Sequence, residues 1–175
     1  MALDIKKLEP THDVKAFDCG DAELNLYLHR FALPNQERHM YGNTYVAYSE
    51  NGELIGYYTI ANSSIPRLEL PAEQTAGSPR YLQIPALLLA RLAVAKNHAG
   101  KGNGEQLLRH CLNTALAISE QSGVRYVITE AYPEKVTWYS KYGFREIPRT
   151  DKSKNRKMWI DLRIVKAAVV KGCNG

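Results

Sequence analysis

Three glycines alternate with other residues at positions 100, 102 and 104, directly before a helical pattern. Glycine lets the backbone bend tightly and lets a ligand approach it closely. The N-terminus of the following helix adds unpaired N–H groups and a partial positive charge. The segment Gly100-Lys101-Gly102-Asn103-Gly104 therefore favours an anion site suited to a pyrophosphate. Its spacing matches neither the P-loop nor the GxGxxG fingerprint of dinucleotide-binding folds, so by itself the pattern also fits an ordinary turn.

The flanking residues predict the elements that would position this loop. Residues 84–94 are the most apolar stretch of the chain and are typical of a buried central strand. Apolar residues recur at helical spacing from Leu107 to Ile118, and Gly123 marks the end of this helix. A further strand is expected at residues 126–129. This succession of strand, glycine loop, helix and strand indicates a single mixed sheet of the α/β or α+β class.

Shorter patterns predict the other regular elements. Further strands are expected at residues 4–9, 44–48, 54–61 and 158–164, and helices at residues 24–31 and 135–142. The Asn51-Gly52 pair favours a hairpin turn, because both residues accept a positive φ. Asp18 or Asp21 is the expected N-cap of the first helix, and Pro34 is expected to end it.

Two segments lack such patterns. Residues 62–83 are rich in Pro, Ser and Gly and predict a long loop with room for one short helix. Residues 166–175 predict a flexible tail. Because no repeat or second domain is visible, we expect one domain over residues 1–165, followed by this tail.

Composition narrows the class of protein. The 175 residues are 45% hydrophobic and 23% charged, which is ordinary for a globular protein and excludes collagenous or disordered classes. No apolar run approaches the ~20 residues that span a bilayer, and no secretory signal is visible, so we expect a cytoplasmic protein that does not contact a membrane. Cys19, Cys111 and Cys173 are widely spaced, which predicts neither a disulfide framework nor a metal site.

The charge is moderately basic and unevenly distributed. The net charge is +5, and residues 145–157 hold six basic residues against two acidic ones. This stretch is either a solvated loop or a patch that faces phosphates.

Two segments together resemble the GNAT superfamily of N-acetyltransferases. Residues 90–94, Ala-Arg-Leu-Ala-Val, followed by Gly100-Lys-Gly-Asn-Gly-Glu105, are similar to its coenzyme A motif, although Asn97 stands where the family usually has Arg or Gln. Residues 138–144, Trp-Tyr-Ser-Lys-Tyr-Gly-Phe, resemble its late Phe-Tyr-x-x-x-Gly-Phe segment. The resemblance covers roughly residues 4–164. The resemblance implies a mostly antiparallel central sheet flanked by helices. It also implies acetyl-coenzyme A as co-substrate, with no metal.

The resemblance also implies roles for individual residues. Cofactor contacts are expected from the central strand and the glycine loop, at Leu92, Ala93, Val94, Gly100, Lys101, Gly102, Asn103, Gly104 and Glu105. The family pattern selects Tyr139 as the general acid, and the alternative is that its ring only packs against the sheet. Arg91 either contacts the acceptor or meets an acidic partner at the end of a buried segment. Glu130 could act as a base through water, but an α-amine with a pKa of about 8 would need none.

A narrower resemblance points to the acceptor. Phe17-x-Cys19-Gly20 and residues 87–94, Leu-Leu-Leu-Ala-Arg-Leu-Ala-Val, are similar to acetyltransferase toxins of bacterial toxin–antitoxin pairs. This implies acetylation of the α-amine of aminoacyl-tRNA, which blocks translation. It also implies a small DNA-binding antitoxin and a homodimer. The alternatives are a metabolic or protein N-acetyltransferase that acts on a small amine or peptide, and a non-catalytic module that binds coenzyme A.

Overall fold

A computed structural model describes residues 2–148 and 153–172. These residues form seven strands: β1 Asp4–Lys7, β2 Asn43–Tyr48, β3 Leu54–Pro66, β4 Gln83–Val94, β5 Tyr126–Ala131, β6 Arg145–Glu146 and β7 Arg156–Asp161. The α-helices are α1 Ala22–Leu26, α2 Ala32–Pro34, α3 Ala72–Thr75, α4 Asn103–Gln121, α5 Val136–Ser140 and α6 Leu162–Gly172. The sheet order is β1-β2-β3-β4-β5-β7-β6, so β4 is central as predicted. The pairs β1–β2, β2–β3, β5–β7 and β7–β6 are antiparallel.

The chain divides into two compact units. The first comprises Met1–Ala61 and Leu89–Asn113, and the second comprises Asn62–Leu88 and Thr114–Gly175. Within the described part of the chain, no helix is long and apolar enough to cross a membrane. The predicted single domain over residues 1–165 stays a prediction.

Aromatic rings of β3 and the N-terminal helical segment fill the core of the first unit. The Tyr57 ring is fully buried and contacts Phe17 edge-on at 5.4 Å and Tyr27 in a stacked arrangement at 6.4 Å. Its hydroxyl donates to the carbonyl of Leu24 at 2.8 Å. A buried tyrosine keeps its stabilising effect only if the hydroxyl finds such a partner. The helical segment is thereby fixed on β3.

The prediction that Pro34 ends the first helix was wrong. Asp21 is the N-cap, and its carboxylate accepts from the backbone N–H groups of Glu23 and Leu24. The segment then continues through a π-helical turn, Tyr27–Phe31, and through α2 into a second π-helical turn, Asn35–His39. Proline normally crowds the carbonyl four residues earlier. Here that carbonyl lies in the widened first π-helical turn, which accommodates the ring.

The C-terminal elements also differ from the prediction. The last strand, β7, ends at Asp161 rather than at residue 164, and α6 continues to Gly172 where an unpatterned tail was expected. The Asp161 carboxylate accepts from the N–H of Arg163 at 2.9 Å and so caps α6. An aspartate at this position stabilises a helix start, which the strand pattern concealed. Residues 173–175 lie outside the described residues.

The predicted long loop is shorter and more ordered than its composition suggested. Strand β3 extends to Pro66, and a 3₁₀ turn and α3 follow it. The Arg67 guanidinium donates to the carbonyls of Thr75 and Pro79 at 2.7 and 2.8 Å and to Ser78 Oγ at 3.0 Å. One arginine thus satisfies backbone groups that would otherwise need water.

Candidate functional site

The glycine loop leads from the central strand into α4. Gly100 and Gly102 have φ angles of +74° and +79°, and a Cβ on either would meet nothing within 4 Å. The N–H of Gln106 donates to the carbonyl of Gly102 at 3.2 Å, which is the first turn of the helix. Backbone amides before Gln106 have no acceptor four residues earlier in the helix. The loop therefore offers donors beside open space, as an anion site requires.

Side chains within the loop bind its own backbone. Lys101 Nζ donates to the carbonyl of Asn97 at 2.8 Å, and Asn103 Nδ2 donates to the carbonyl of His98 at 2.9 Å. Glu105 pairs with Arg109 one turn along α4 at 2.8 Å. The side chains of Lys101, Asn103 and Glu105 thus have structural partners, whereas a phosphate would use backbone amides.

The residue that departs from the family pattern also has a partner. Asn97 Nδ2 donates to Glu53 Oε1 at 3.3 Å, and His98 Nε2 lies 2.9 Å from the same oxygen. Contact with His98 lowers the pKa of Glu53 below its usual value. No sequence signal selected Glu53, because it is far from the loop along the chain.

A cleft of about 370 Å³ lies next to the residues that precede the glycine loop, and Asn97 is part of its lining. The residues that line it include Asp13, Asp18, Glu53 and Lys96. Lys96 pairs with Asp18 at 2.6 Å, and this contact lowers the pKa of Asp18 to about 2. Because acidic residues outnumber basic ones in this lining, the cleft suits a pyrophosphate less well than the glycine loop does.

Strand β4 contains Leu92–Val94, whose backbone is predicted to contact the cofactor, and the guanidinium group of Arg91. Ala93 is buried, whereas Leu92 and Val94 are half-buried. The Arg91 guanidinium lies over the Tyr27 ring, 3.7 Å from its centroid. Of the two alternatives for Arg91, the structure shows an aromatic face in contact with the guanidinium rather than an acidic partner, and contact with the acceptor stays a prediction. Stacking on Tyr27 orients the guanidinium through its face.

Tyr139 lies in an aromatic cluster of the second unit. Its ring is 7% exposed and contacts Trp138 and Phe144 edge-on at 4.9 and 5.3 Å. Its carbonyl accepts from the N–H groups of Tyr142 and Phe144, so the turn after α5 is built around it. Gly143 has a φ of +92°, as the predicted end of this helix requires. Trp138 and Tyr142 are less buried than Tyr139.

The basic stretch at residues 145–157 carries acidic partners. Arg145 lies over the Trp159 ring at 5.0 Å and pairs with Glu73 at 3.7 Å, and Lys157 pairs with Glu69 at 3.4 Å. Arg149 and Lys152, two of its six basic residues, lie outside the described residues.

The structure also shows the surroundings of Glu130 and Cys111. Glu130 is exposed near the end of β5 and lies opposite Lys157 in the strand register. Cys111 is fully buried on α4, and burial raises the pKa of its thiol to about 12, as expected for a core residue. Among the residues that the structure describes, no group of His, Cys, Asp and Glu side chains could hold a metal ion.

Comparison with known families identifies the class of protein. The family model described as an acetyltransferase (GNAT) domain matches residues 40–146. The chain therefore belongs to the GNAT acetyltransferases, and it is an N-acetyltransferase with a mixed, mostly antiparallel sheet. The predicted fold and enzyme class are confirmed.

One curated relative and two solved structures of a second protein, AtaT, are similar to this chain over most of its length. The "tRNA-acetylating toxin" of Mycobacterium tuberculosis is 28% identical over 83% of this chain and 86% of its own length. The solved structure of AtaT complexed with acetyl-methionyl-tRNAfMet superposes with a TM-score of 0.83 at 26% identity, over 96% of this chain and 99% of that one. A tyrosine-to-phenylalanine mutant of AtaT, bound to the C-terminus of the antitoxin AtaR and to acetyl-CoA, gives a TM-score of 0.75 at 26% identity, over 95% and 98%.

Proposed function

We propose that this chain is a toxin that transfers an acetyl group from acetyl-coenzyme A to the α-amine of aminoacyl-tRNA and so blocks translation. The observation that carries the acceptor is the similarity, over nearly its full length, to AtaT complexed with acetyl-methionyl-tRNAfMet. The tRNA-acetylating relative of Mycobacterium tuberculosis supports the same acceptor independently.

The glycine loop fits the cofactor by its own geometry. No side chain fills the space into which a Cβ of Gly100 or Gly102 would project. Backbone amides of Gly100–Glu105 would hold the pyrophosphate, while the Lys101 and Glu105 side chains keep their partners within the protein. Asn97 does not obstruct this role, since its side chain binds Glu53. When bound, the cofactor supplies an acetyl group activated as a thioester.

Two sets of groups in this chain perform the chemistry that we propose. Backbone N–H groups of Leu92–Val94 orient and polarise the acetyl carbonyl, because a preorganised donor stabilises charge that develops on oxygen. The α-amine nitrogen forms the amide bond as the C–S bond breaks, and the Tyr139 hydroxyl, with a reference pKa near 10, donates its proton to the departing thiolate sulfur. The acetylated nitrogen loses its extra proton to solvent, and solvent reprotonates the Tyr139 oxygen. No general base is assigned, because a useful fraction of an α-amine with a pKa of about 8 is neutral at pH 7.

Basic side chains supply the contacts to RNA. Arg91 stacks on Tyr27 through its face, so the guanidinium edge remains able to donate to an acceptor. Arg145 pairs with Glu73 at an exposed position, and Lys157 pairs with Glu69, whose side chain is partly buried. An exposed pair is worth about 0–1 kcal/mol, so an RNA phosphate can replace the carboxylate of Glu73. The second partner that we propose is a small DNA-binding antitoxin, and the chain acts as a homodimer.

A cell-free translation assay tests this function. Protein synthesis is followed with and without acetyl-coenzyme A after adding the wild-type chain or the Tyr139→Phe variant. We expect the wild-type chain to arrest synthesis only when acetyl-coenzyme A is present and the variant to arrest it far more slowly. Undiminished synthesis, with polyamines or peptides acetylated instead, would contradict the toxin function and indicate a metabolic or protein N-acetyltransferase.

A further inference from the structure

We propose that Glu53 is a positioning residue that holds the coenzyme A loop in its binding conformation. The inference rests on the proposed function only in taking this loop as the cofactor site. Glu53 follows the hairpin turn between β2 and β3, and it lies more than forty residues before the loop along the chain.

A series of contacts connects Glu53 with the start of α4. Its carboxylate oxygen Oε1 accepts from Asn97 Nδ2 at 3.3 Å and lies 2.9 Å from His98 Nε2. The carbonyl of His98 accepts from the side chain of Asn103, the first residue of α4, at 2.9 Å. The carbonyl of Asn97 accepts from Lys101 Nζ at 2.8 Å. One carboxylate therefore holds Asn97 by a hydrogen bond and lies beside His98, the two residues whose carbonyls accept from side chains of the loop.

The hairpin gives Glu53 a rigid base. The N–H of Ser49 donates to the carbonyl of Glu53 at 2.9 Å, and the N–H of Glu53 donates to Ser49 Oγ at 3.2 Å. Two residues further on, the carbonyl of Ile55 accepts from the N–H of Ala95 at 2.9 Å, which ties β3 to the end of β4. The Glu53 side chain is thus anchored on ordered backbone just where the loop begins.

Charge alone cannot explain a carboxylate at this place. Contact with His98 holds the pKa of Glu53 below its usual value, so the group is ionised at neutral pH. A negative charge near a pyrophosphate site opposes binding unless it is compensated. The favourable effect that we propose for Glu53 is therefore geometric and acts through its contacts with Asn97 and His98. Asn97, where the family usually has Arg or Gln, supplies the hydrogen bond to Glu53.

Binding of coenzyme A by titration calorimetry and steady-state kinetics test the role. We expect Glu53→Ala to raise the Kd for coenzyme A and the KM for acetyl-coenzyme A about tenfold, which corresponds to about 1.4 kcal/mol. The kcat should stay within about twofold, because Glu53 does not touch the reacting atoms. Glu53→Gln, which can still accept from Asn97, should recover part of the affinity. Glu50→Ala, an acidic residue of the same turn, is the matched control and should leave the affinity unchanged.

The outcomes separate this inference from the proposed function. Unchanged affinity in Glu53→Ala, or equal losses of kcat in Glu53→Ala and Glu53→Gln with KM constant, overturns the positioning role. If Glu53→Ala is too unstable to study, Glu53→Gln alone must weaken coenzyme A binding for the role to stand. A wild-type chain that binds coenzyme A but does not acetylate aminoacyl-tRNA overturns the proposed acceptor and leaves the Glu53 comparison intact.

Discussion

Gly56 of β3 lies directly against the carbonyl oxygen of Ala93 in β4. A Cβ on Gly56 would come within 2.5 Å of that oxygen and within 2.8 Å of Leu107 Cδ1 on α4. Real Cβ atoms do not approach so closely, so this position requires glycine. The strand backbone proposed to polarise the acetyl carbonyl and the helix that follows the glycine loop therefore both pack on one glycine.

Replacing Gly56 with alanine should destabilise the first unit. The added methyl group must displace backbone or core atoms, which typically costs about 1–3 kcal/mol. Urea unfolding followed by circular dichroism measures the loss. Gly123→Ala is the control, because a Cβ there would meet nothing within 4 Å. Equal stability of Gly56→Ala and the wild-type chain would contradict the close approach.

Replacing Gly102 with alanine should weaken coenzyme A binding more than it weakens the fold. Its φ of +79° costs an L-residue roughly 1–2 kcal/mol, and the methyl group would enter the space proposed for the pyrophosphate. Gly77→Ala is a matched control, since Gly77 has a φ of +70° and also faces open space. Both variants should lose similar stability, but only Gly102→Ala should lose affinity in calorimetry. Equal affinities would place the pyrophosphate elsewhere.

Removing the Tyr139 hydroxyl should slow the chemical step. Tyr139→Phe keeps the aromatic ring that contacts Trp138 and Phe144 and removes the hydroxyl that is the proposed proton donor. We expect kcat to fall roughly 10²- to 10⁴-fold, the usual contribution of general acid catalysis, with little change in the KM for acetyl-coenzyme A. Tyr142→Phe, in the same cluster, should retain activity. A Tyr139→Phe variant as active as the wild type would reduce Tyr139 to a packing role.

Acid should weaken the second unit through Asp161. Burial raises the pKa of this carboxyl, but hydrogen bonds from Arg163 and Arg125 outweigh burial and hold the pKa below its usual value. A group with a lowered pKa stabilises the fold fully above its unfolded pKa, near 4, and loses that effect as the pH falls through the folded pKa.

Asp161→Asn checks that assignment. We expect the free energy of unfolding at pH 7 to fall by about 2 kcal/mol, because hydrogen bonds to a charged group and the cap of α6 are weakened. The difference from the wild type should shrink at pH 3. Asp13→Asn, at an exposed position, serves as the control. A difference that is constant between pH 7 and pH 3 would show that ionisation of Asp161 is not involved.

Short sequence patterns predicted the helices, strands and turns that are determined by neighbouring residues in the chain. The Asp21 cap, the Asn51-Gly52 turn, the apolar strand β4 and the helix after the glycines each depend on neighbouring residues. The prediction that Pro34 ends the first helix was wrong because no residue type marks the widened π-helical turn that tolerates this proline. Helix α6 was missed because Asp161 acts both as the last strand residue and as a helix cap.

The candidate site was predictable only where sequence motifs carry it. The glycine loop and Tyr139 come from short motifs with a known chemical logic. Glu53 beside His98 and Arg91 on Tyr27 are contacts between segments distant along the chain, and no spacing rule links them. The acidic partners of Arg145 and Lys157 were missed for the same reason.

The most direct test of the account is transfer of labelled acetyl from acetyl-coenzyme A to a mixed pool of aminoacyl-tRNA. Free amino acids, a polyamine and a peptide with a free N-terminus serve as competing acceptors, and the salt concentration is varied. We expect label on the α-amine of aminoacyl-tRNA. This label should be lost in Tyr139→Phe and should fall steeply with salt, because contacts to phosphates release counterions. Label on the polyamine or peptide alone, with coenzyme A binding intact, would contradict this expectation.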